Sequence, residues 1–373
     1  MKIGINVFGC EHGKSGIGSY IHSLIRNLPV IDNCEYELFG HEIDRYTFDL
    51  GDGKFSFAGI DVIDSVASES IWHKVHFNTF ITKQEYDVVF IPSNLIQVKF
   101  KTKTPLVFLA HSNLSARLDK KTTKKSAKIF LKNLRKASAI IAVSQALKKD
   151  LTELKVDSKK IEVIHDGVEH YQFLKTEDFY DTEDDVALIK PFAIKRPYIT
   201  YASGLTNKDK KHIELIDAFC KFKESTNLPH RLVLAGNTDK YTDTIKDKIE
   251  KCKYASDIMI TGHFPREDFY KLYALSDACI FPAINESVGL PVIEAMACGV
   301  PVACAKQGML SNISGGFTLD FDLEDTADFS NAIEQITTNT ELQEKLIKDG
   351  LEWTKRFSWE KTAQKTVGIL TKK

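Results

Sequence analysis

The chain has 373 residues, with 50 Lys and Arg against 51 Asp and Glu and a formal net charge of −1. That length exceeds the usual extent of one compact core, which implies two domains, and the near-zero charge argues against nucleic acid as a partner. No apolar run approaches a membrane span and no basic-then-apolar leader opens the chain, so a cytoplasmic protein is expected.

Short apolar runs alternate with helical patterns, the arrangement of parallel α/β domains. The first strand, K-I-G-I-N-V-F at residues 2–8, runs into the glycine-rich stretch V-F-G-C-E-H-G-K-S-G-I-G-S-Y, with a helix expected to open near Ser19. Gly9, Gly13, Lys14 and Ser15 nearly spell a phosphate loop, but three residues separate the glycines where that motif needs four. Gly13, Gly16 and Gly18 invert the order of the dinucleotide fingerprint. What survives is a loop feeding a helix start, whose free amides favour an anion or polar ligand; a glycine-rich connection without a ligand fits the residues too.

Further strands are expected at residues 87–91, 105–110, 139–143 and 161–164. Between Lys120 and Lys149 the chain carries ten Lys and Arg and no acidic residue. The pattern there is helical, with Ile129, Phe130, Leu131 and Leu134 on or near one side. It reads either as a solvated helix or as a docking face for an anionic inner leaflet, where each basic residue is worth about 1 kcal/mol. The acidic run T-E-D-F-Y-D-T-E-D-D at 176–185 reads as loop or linker. A second series of strands follows at 198–202, 231–235, 257–261, 278–281 and 301–305, each leading into a helical pattern. Two doubly wound units joined near 186–197 are therefore expected. Ligands in such sheets sit beyond the carboxyl ends of the strands, and two facing units would set those loops across one cleft. The seven cysteines contain no C-x-x-C pair and read as reduced thiols, most of them small core residues.

The passage richest in chemistry is F-P-A-I-N-E-S-V-G-L-P-V-I-E-A-M-A-C-G-V-P-V, residues 281–302. Strand, loop and helix follow in order, with Glu286 in the loop and Glu294 eight residues later on the helix. Pro291 near the helix start needs no amide partner. A diphosphate could be held there by backbone amides and the helix dipole, without metal. Glu294 could then accept bonds from ribose hydroxyls and Glu286 from a sugar. Taken alone, the pair would read as two solvated glutamates.

The pair does not stand alone. E-S-V-G-L-P-V-I-E-A-M-A-C-G-V-P-V resembles the E-x7-E block of the retaining glycosyltransferases of family 4, which have the GT-B fold. A-I-I-A-V-S-Q-A-L-K-K-D-L, K-I-E-V-I-H-D-G-V, R-L-V-L-A-G, L-Y-A-L-S-D-A-C-I-F-P and R-F-S-W-E-K-T-A follow the same family's order along nearly the whole chain. The resemblance implies an N-terminal acceptor-binding Rossmann-like domain (1–185), a linker (186–197), a C-terminal nucleotide-sugar domain (198–355) and a C-terminal helix crossing back to the first domain (356–373). It implies that Glu294 holds the ribose, that Glu286 contacts the donor sugar, and that amides around Val288, Gly289 and Leu290 hold the distal phosphate. In G-L-T-N-K-D-K-K-H-I, Lys211, with Lys210 close behind, is expected to neutralise the leaving group. Many members carry an arginine where this chain has Ser203, Gly204 and Leu205, so either Lys208 or Lys210 is expected to substitute or turnover to be slower than in the arginine-bearing relatives.

Main chain at Gly262, His263 and Phe264 should read the nucleobase, with Gly236 and Asn237 lining the same pocket. In L-A-H-S-N-L-S, His111 is expected near the donor sugar and acceptor. Gly16, Ile17 and Gly18, with Lys14, are expected to approach the donor phosphates or acceptor.

The implied activity is metal-independent, retaining hexosyl transfer from a nucleotide-diphosphate sugar, GDP-mannose-like or UDP-linked, to a glycan or lipid-linked acceptor in polysaccharide or glycolipid biosynthesis. No cofactor is expected, and any membrane association would be peripheral, at the inner face. The competing readings are a nucleotide-sugar-binding scaffold of weak activity, a GT-B epimerase, and an NAD-dependent oxidoreductase that lacks its fingerprint here.

Overall fold

A computed structural model describes the chain apart from residues 14, 52, 93–98, 112–123, 169–179, 182–185, 190–191, 265–267, 285, 287, 308–309 and 373. Lys14, Ser287, most of the acidic run and the start of the basic segment thus lie outside the described residues. The chain divides into two units, Met1–Gly167 with Phe357–Lys373, and Val168–Arg356. The boundary falls before the expected 185/186, and the returning C-terminal segment belongs to the first unit.

The first unit is built on seven parallel strands: β1 (Lys2–Asn6), β2 (Glu35–His41), β3 (Phe55–Ile60), β4 (Val88–Pro92), β5 (Leu106–Ala110), β6 (Ala139–Ala142) and β7 (Ile161–Val163). They lie in the order β3-β2-β1-β4-β5-β6-β7. V-V-F-I-P and L-V-F-L-A are buried at every position, as strands covered on both faces must be. β2 and β3 escape a search for solid apolar runs because glutamate, serine and glycine interrupt them. Strand order reverses between β1 and β4, which makes the loops after them the natural ligand-binding edge.

The helix after β1 begins earlier than expected, at Gly16 rather than near Ser19, and runs to Asn27. Ser15 caps it, its Oγ accepting the Gly18 amide at 3.1 Å. Gly16, Ile17 and Gly18 therefore form the first helical turn and not an open loop. The helix Trp359–Leu370 packs on this one, with Trp359 fully buried and its ring edge-on to Tyr20 at 5.4 Å. The Thr362 hydroxyl donates to the His165 carbonyl at 2.7 Å. Gly167 permits this approach, since a Cβ there would lie 2.2 Å from the Trp359 nitrogen.

The second unit carries six parallel strands, β11 (Tyr198–Ala202), β12 (Arg231–Ala235), β13 (Ile258–Gly262), β14 (Ala278–Phe281), β15 (Val302–Ala305) and β16 (Leu319–Phe321). Their order, β13-β12-β11-β14-β15-β16, reverses between β11 and β14. Before them stand three short antiparallel strands, β8 (Tyr180–Asp181), β9 (Val186–Ile189) and β10 (Phe192–Lys195). The expected linker thus holds two strands, β9 and β10, paired antiparallel. Its Ile194 joins a core of Tyr198, Val233, Ala235, Phe264, Leu272 and Leu275; the short alternating pattern gains its burial from tertiary contacts that the local sequence does not show.

Two cysteines are also corrected. Cys220 on helix His212–Thr226 and Cys252 just after helix Tyr241–Glu250 form a disulfide, with Cα atoms 6.9 Å apart. The packing of these helices joins residues 32 apart in sequence, which spacing alone does not reveal.

Candidate functional site

In the second unit the loops after β11 and β14 come together at the reversal point of the sheet. After β11, Asn207 caps a short turn, its Oδ1 accepting the Asp209 amide at 3.0 Å. The Tyr201 hydroxyl anchors the turn by donating to the Lys210 carbonyl at 2.8 Å. The Ile284 amide, beyond β14, donates to the Asp209 carbonyl at 3.4 Å and joins the two loops. Lys210 then reaches across, its Nζ 2.6 Å from Glu286 Oε2, in a pair about three-quarters buried on each side. Lys211 sits in the left-handed region at φ 60° and caps the next helix without a side-chain hydrogen bond. Its Nζ meets Glu214 Oε1 at 2.7 Å, one turn along the same helix. The two lysines that the sequence groups together therefore point to different carboxylates. Lys208 is exposed, and Leu205, where relatives were expected to carry an arginine nearby, is fully buried.

Beyond Glu286, Gly289 turns the chain at φ 64° into helix Leu290–Ala297, with Pro291 in its first turn. No side chain fits at Gly289, because a Cβ would lie 2.9 Å from Ile313 Cδ1 and 3.1 Å from Leu310 Cδ2. Pro291 has no amide hydrogen, and the Val292 and Ile293 amides donate to the Gly289 carbonyl at 3.0 and 3.3 Å, so the helix itself leaves the amides of Gly289 and Leu290 unused. Val292, Ile293, Ala295, Met296 and Ala297 are buried, while Glu294 is half-buried, as is Val288 before the turn.

Gly236 follows β12, where a Cβ would lie 2.2 Å from the Ser203 carbonyl oxygen, so it lets the β11 loop pass close. His263 Nδ1 lies 2.8 Å from Asn237 Oδ1 at the surface. Phe264 is core: 3 % exposed and stacked on Phe192 at 5.2 Å. Its side chain supports the loop, and only its main chain is left to face a ligand. His212, beside the lysines, is fully buried, and neither ring nitrogen meets a hydrogen-bond partner among the described residues. Burial, helped by the nearby Lys210 charge, pushes its pKa down to about 4.

In the first unit His111 follows β5, with Nε2 3.1 Å from Asp166 Oδ2 just past β7. The Tyr20 ring meets the imidazole edge-on at 5.4 Å. A Cβ at Gly16 would stand 3.6 Å from His111 Cε1, so the helix start and the histidine are neighbours. Gly18 serves the loop itself, since a Cβ there would lie 2.2 Å from the Cys10 carbonyl oxygen; Ile17 is buried core. Asp166 is the residue that sequence reasoning passed over, although it stands in K-I-E-V-I-H-D-G-V, one of the blocks that carry the resemblance.

Comparison with known proteins gives the family and the fold. The family model "Glycosyl transferases group 1" matches residues 187–353, and "Glycosyltransferase Family 4" matches 14–171. An O-antigen chain mannosyltransferase B of Escherichia coli is 31% identical over 163 residues, which is 43% of each chain. A D-inositol 3-phosphate glycosyltransferase of Saccharomonospora viridis is 32% identical over 108 residues, 28% of this chain and 24% of that one. The chain spans less than half the length of these curated relatives.

Among solved structures, Anabaena Alr3699/HepE in complex with UDP-glucose has a TM-score of 0.74 at 18% identity, covering 100% of this chain and 99% of that one. WaaG, a glycosyltransferase of lipopolysaccharide biosynthesis, has a TM-score of 0.72 at 12% identity, covering 100% of both chains. These likenesses establish the GT-B fold. With both halves of the chain matched by the family's own models, the protein belongs to the group 1 glycosyl transferases of glycosyltransferase family 4.

Proposed function

We propose that this glycosyltransferase moves a hexosyl group from a nucleotide-diphosphate sugar to a glycan or lipid-linked glycan, with retention at the anomeric carbon and without metal, in polysaccharide or glycolipid biosynthesis. The observation that carries the reading is the Lys210–Glu286 pair, 2.6 Å apart on the two loops at the reversal point of the second sheet, with Glu294 on the helix that follows. The anomeric carbon–phosphate oxygen bond breaks as the bond to the acceptor oxygen forms on the same face, and the acceptor proton passes to the leaving diphosphate. Lys210, Lys211 and the amides around Gly289 offset the charge that develops on that diphosphate. Glu286 accepts from donor-sugar hydroxyls and Glu294 from the ribose. Main chain at Gly262 and His263, near Gly236, flanks the base. In the first unit His111, oriented by Asp166 and adjoining Gly16, serves the sugar or acceptor. Catalysis of this kind is mostly positioning and charge stabilisation.

A mannosyl donor of GDP type is favoured by the E. coli mannosyltransferase relative, and a UDP-sugar by the UDP-glucose complex of HepE. Thermal unfolding with UDP, GDP and ADP, each with and without Mg²⁺, decides between them. A ligand at a hundredfold excess over its dissociation constant should stabilise by about 2.7 kcal/mol, a shift of several degrees. One base acting equally with and without Mg²⁺, and losing its effect in Glu294→Ala, is the expected result. If no nucleotide shifts the transition, the donor assignment is wrong and a scaffold role, which the absent arginine favours, takes its place.

The protein is proposed to work in the cytoplasm, at the inner membrane face. No helix among the described residues is long and apolar enough to cross a membrane. On helix Lys124–Lys136, Phe130 and Leu134 are buried while Lys128, Lys132 and Lys136 are exposed, which leaves a basic edge for anionic lipid. Co-sedimentation with vesicles should rise with their anionic fraction; no such dependence would reject the docking.

A further inference from the structure

A second cluster of ionisable side chains lies in the first unit, where the loops after β1, β2 and β3 meet, and the transfer chemistry proposed above uses none of it. His41 is the last residue of β2 and is 4 % exposed. Its Nε2 stands 2.9 Å from Glu69 Oε1, in the first turn of helix Val66–Val75, and 3.8 Å from Asp64 Oδ1. Those three ligand atoms all lie within 4.8 Å of one another. From the turn after β1, His12 Nε2 approaches the other oxygen of Asp64 at 2.9 Å. Its remaining nitrogen, Nδ1, is 2.7 Å from Asp44 Oδ1, and Asp44 is 2 % exposed.

We propose that His12, His41, Asp64 and Glu69 form a binding site for one divalent transition-metal ion of the zinc type. Two imidazole nitrogens and two carboxylates are a donor set that suits zinc, whereas magnesium and calcium take oxygen ligands. Zinc bonds of about 2.1 Å in a tetrahedron set ligand atoms about 3.4 Å apart, within the 4.8 Å that His41, Asp64 and Glu69 already span, and His12 joins them through its 2.9 Å contact with Asp64. Asp64 is the adjustable member: its side chain is 64% exposed, with one oxygen on His12 at 2.9 Å and the other 3.8 Å from His41, and it can turn either oxygen toward an ion. His41 is held by the Phe8 ring edge-on at 4.8 Å.

The buried Asp44 supplies the outer support such sites need. A carboxylate on Nδ1 fixes the tautomer that leaves the opposite nitrogen free to bind metal. Charge points the same way. Asp44, Asp64 and Glu69 bring three negative charges to two histidines, so the group stays net negative even with both imidazoles protonated, and a dication offsets that excess. The ion would tie the turn Glu11–Gly13, and through it the start of helix Gly16–Asn27, to β2 and to helix Val66–Val75. Its role is structural, and it does not rest on the identity of donor or acceptor.

The test is titration of Zn²⁺ alone into the full-length, chelator-treated protein, followed by calorimetry and by thermal unfolding. The expected result is one equivalent bound and a rise in the unfolding temperature. Asp64→Asn, at an exposed position where folding should be unaffected, should weaken binding at least tenfold and remove the thermal shift. His41→Gln and Glu69→Gln should do the same, and Asp44→Asn should cost 10–100-fold through loss of support for His12. Zinc that binds Asp64→Asn as tightly as the unaltered protein sits elsewhere, on the free cysteines for example, and overturns the assignment. So does the absence of a bound equivalent in the unaltered protein.

Discussion

Lys210 and Lys211 are consecutive, yet one meets Glu286 across the loop pair and the other meets Glu214 on its own helix. The left-handed backbone at Lys211 is what separates their directions. In the transfer proposed above, Lys210 would have only to exchange the Glu286 carboxylate for a phosphate oxygen. Lys210→Ala should therefore lower kcat/KM by about 10²–10³, the usual cost of one charge-stabilising donor, and by more than Lys211→Ala; steady-state kinetics on the two variants checks the ranking. His212, next along, carries a stability signature. Its folded pKa of about 4 lies below the ordinary value of 6.5, so the folded state binds fewer protons than the unfolded one between those pH values. Stability present above pH 6.5 is lost as the pH falls toward 4, by up to about 3 kcal/mol. Unfolding of His212→Phe across that window should show a flatter pH dependence.

Strands and helices place these residues. β11 and β14 neighbour each other only because the sheet order reverses there, and the loops leaving their carboxyl ends then have no crossover helix between them. Gly236 serves that arrangement by letting the main chain after β11 pass where a methyl group would collide, and Gly289 by leaving room for the Ile313 and Leu310 side chains. Gly289→Ala should destabilise by about 2 kcal/mol from the positive φ and the contact with Ile313, and should weaken nucleotide binding together with it. The Cys220–Cys252 bridge acts at the same level. It closes a loop across two helices 32 residues apart, which chain entropy values at about 4 kcal/mol. Cys220→Ser, or reduction of the native protein, should lower the denaturant midpoint accordingly; unchanged midpoints in both would mean that the thiols are not bonded in solution.

Taken whole, the molecule is one continuous unit and one discontinuous unit. Residues 168–356 contain every strand of the second sheet, whereas the first unit needs its C-terminal segment to cover helix Gly16–Asn27. Trp359 is the largest side chain in that cover and is fully buried. Truncation after Arg356 should remove the first unit's cooperative unfolding transition while residues 168–356 keep theirs, as hydrogen exchange resolved along the chain would report. Equal protection of both units after truncation would show that the C-terminal helix is dispensable for the fold.

Apolar periodicity alone located ten of the parallel strands, because strands covered on both faces cannot hide their composition, and the family's ordered blocks singled out Glu286, Glu294 and the lysine loop. The interrupted strands β2 and β3, the short strand β16 and the antiparallel pair β9 and β10 were not legible, since each is short or broken by polar residues and is completed by its neighbours in the sheet. Nor did the sequence show that Lys210 would take Glu286, that Asp166 would sit on His111 from 55 residues away, or that His41, Asp64 and Glu69 would gather their ligand atoms with His12 beside Asp64. Local sequence sets which segments are strand, helix or turn, through residue-by-residue preferences and the need to bury apolar surface. Which side chains meet across them depends on strand order and backbone direction, and those are fixed by the packing of the whole unit.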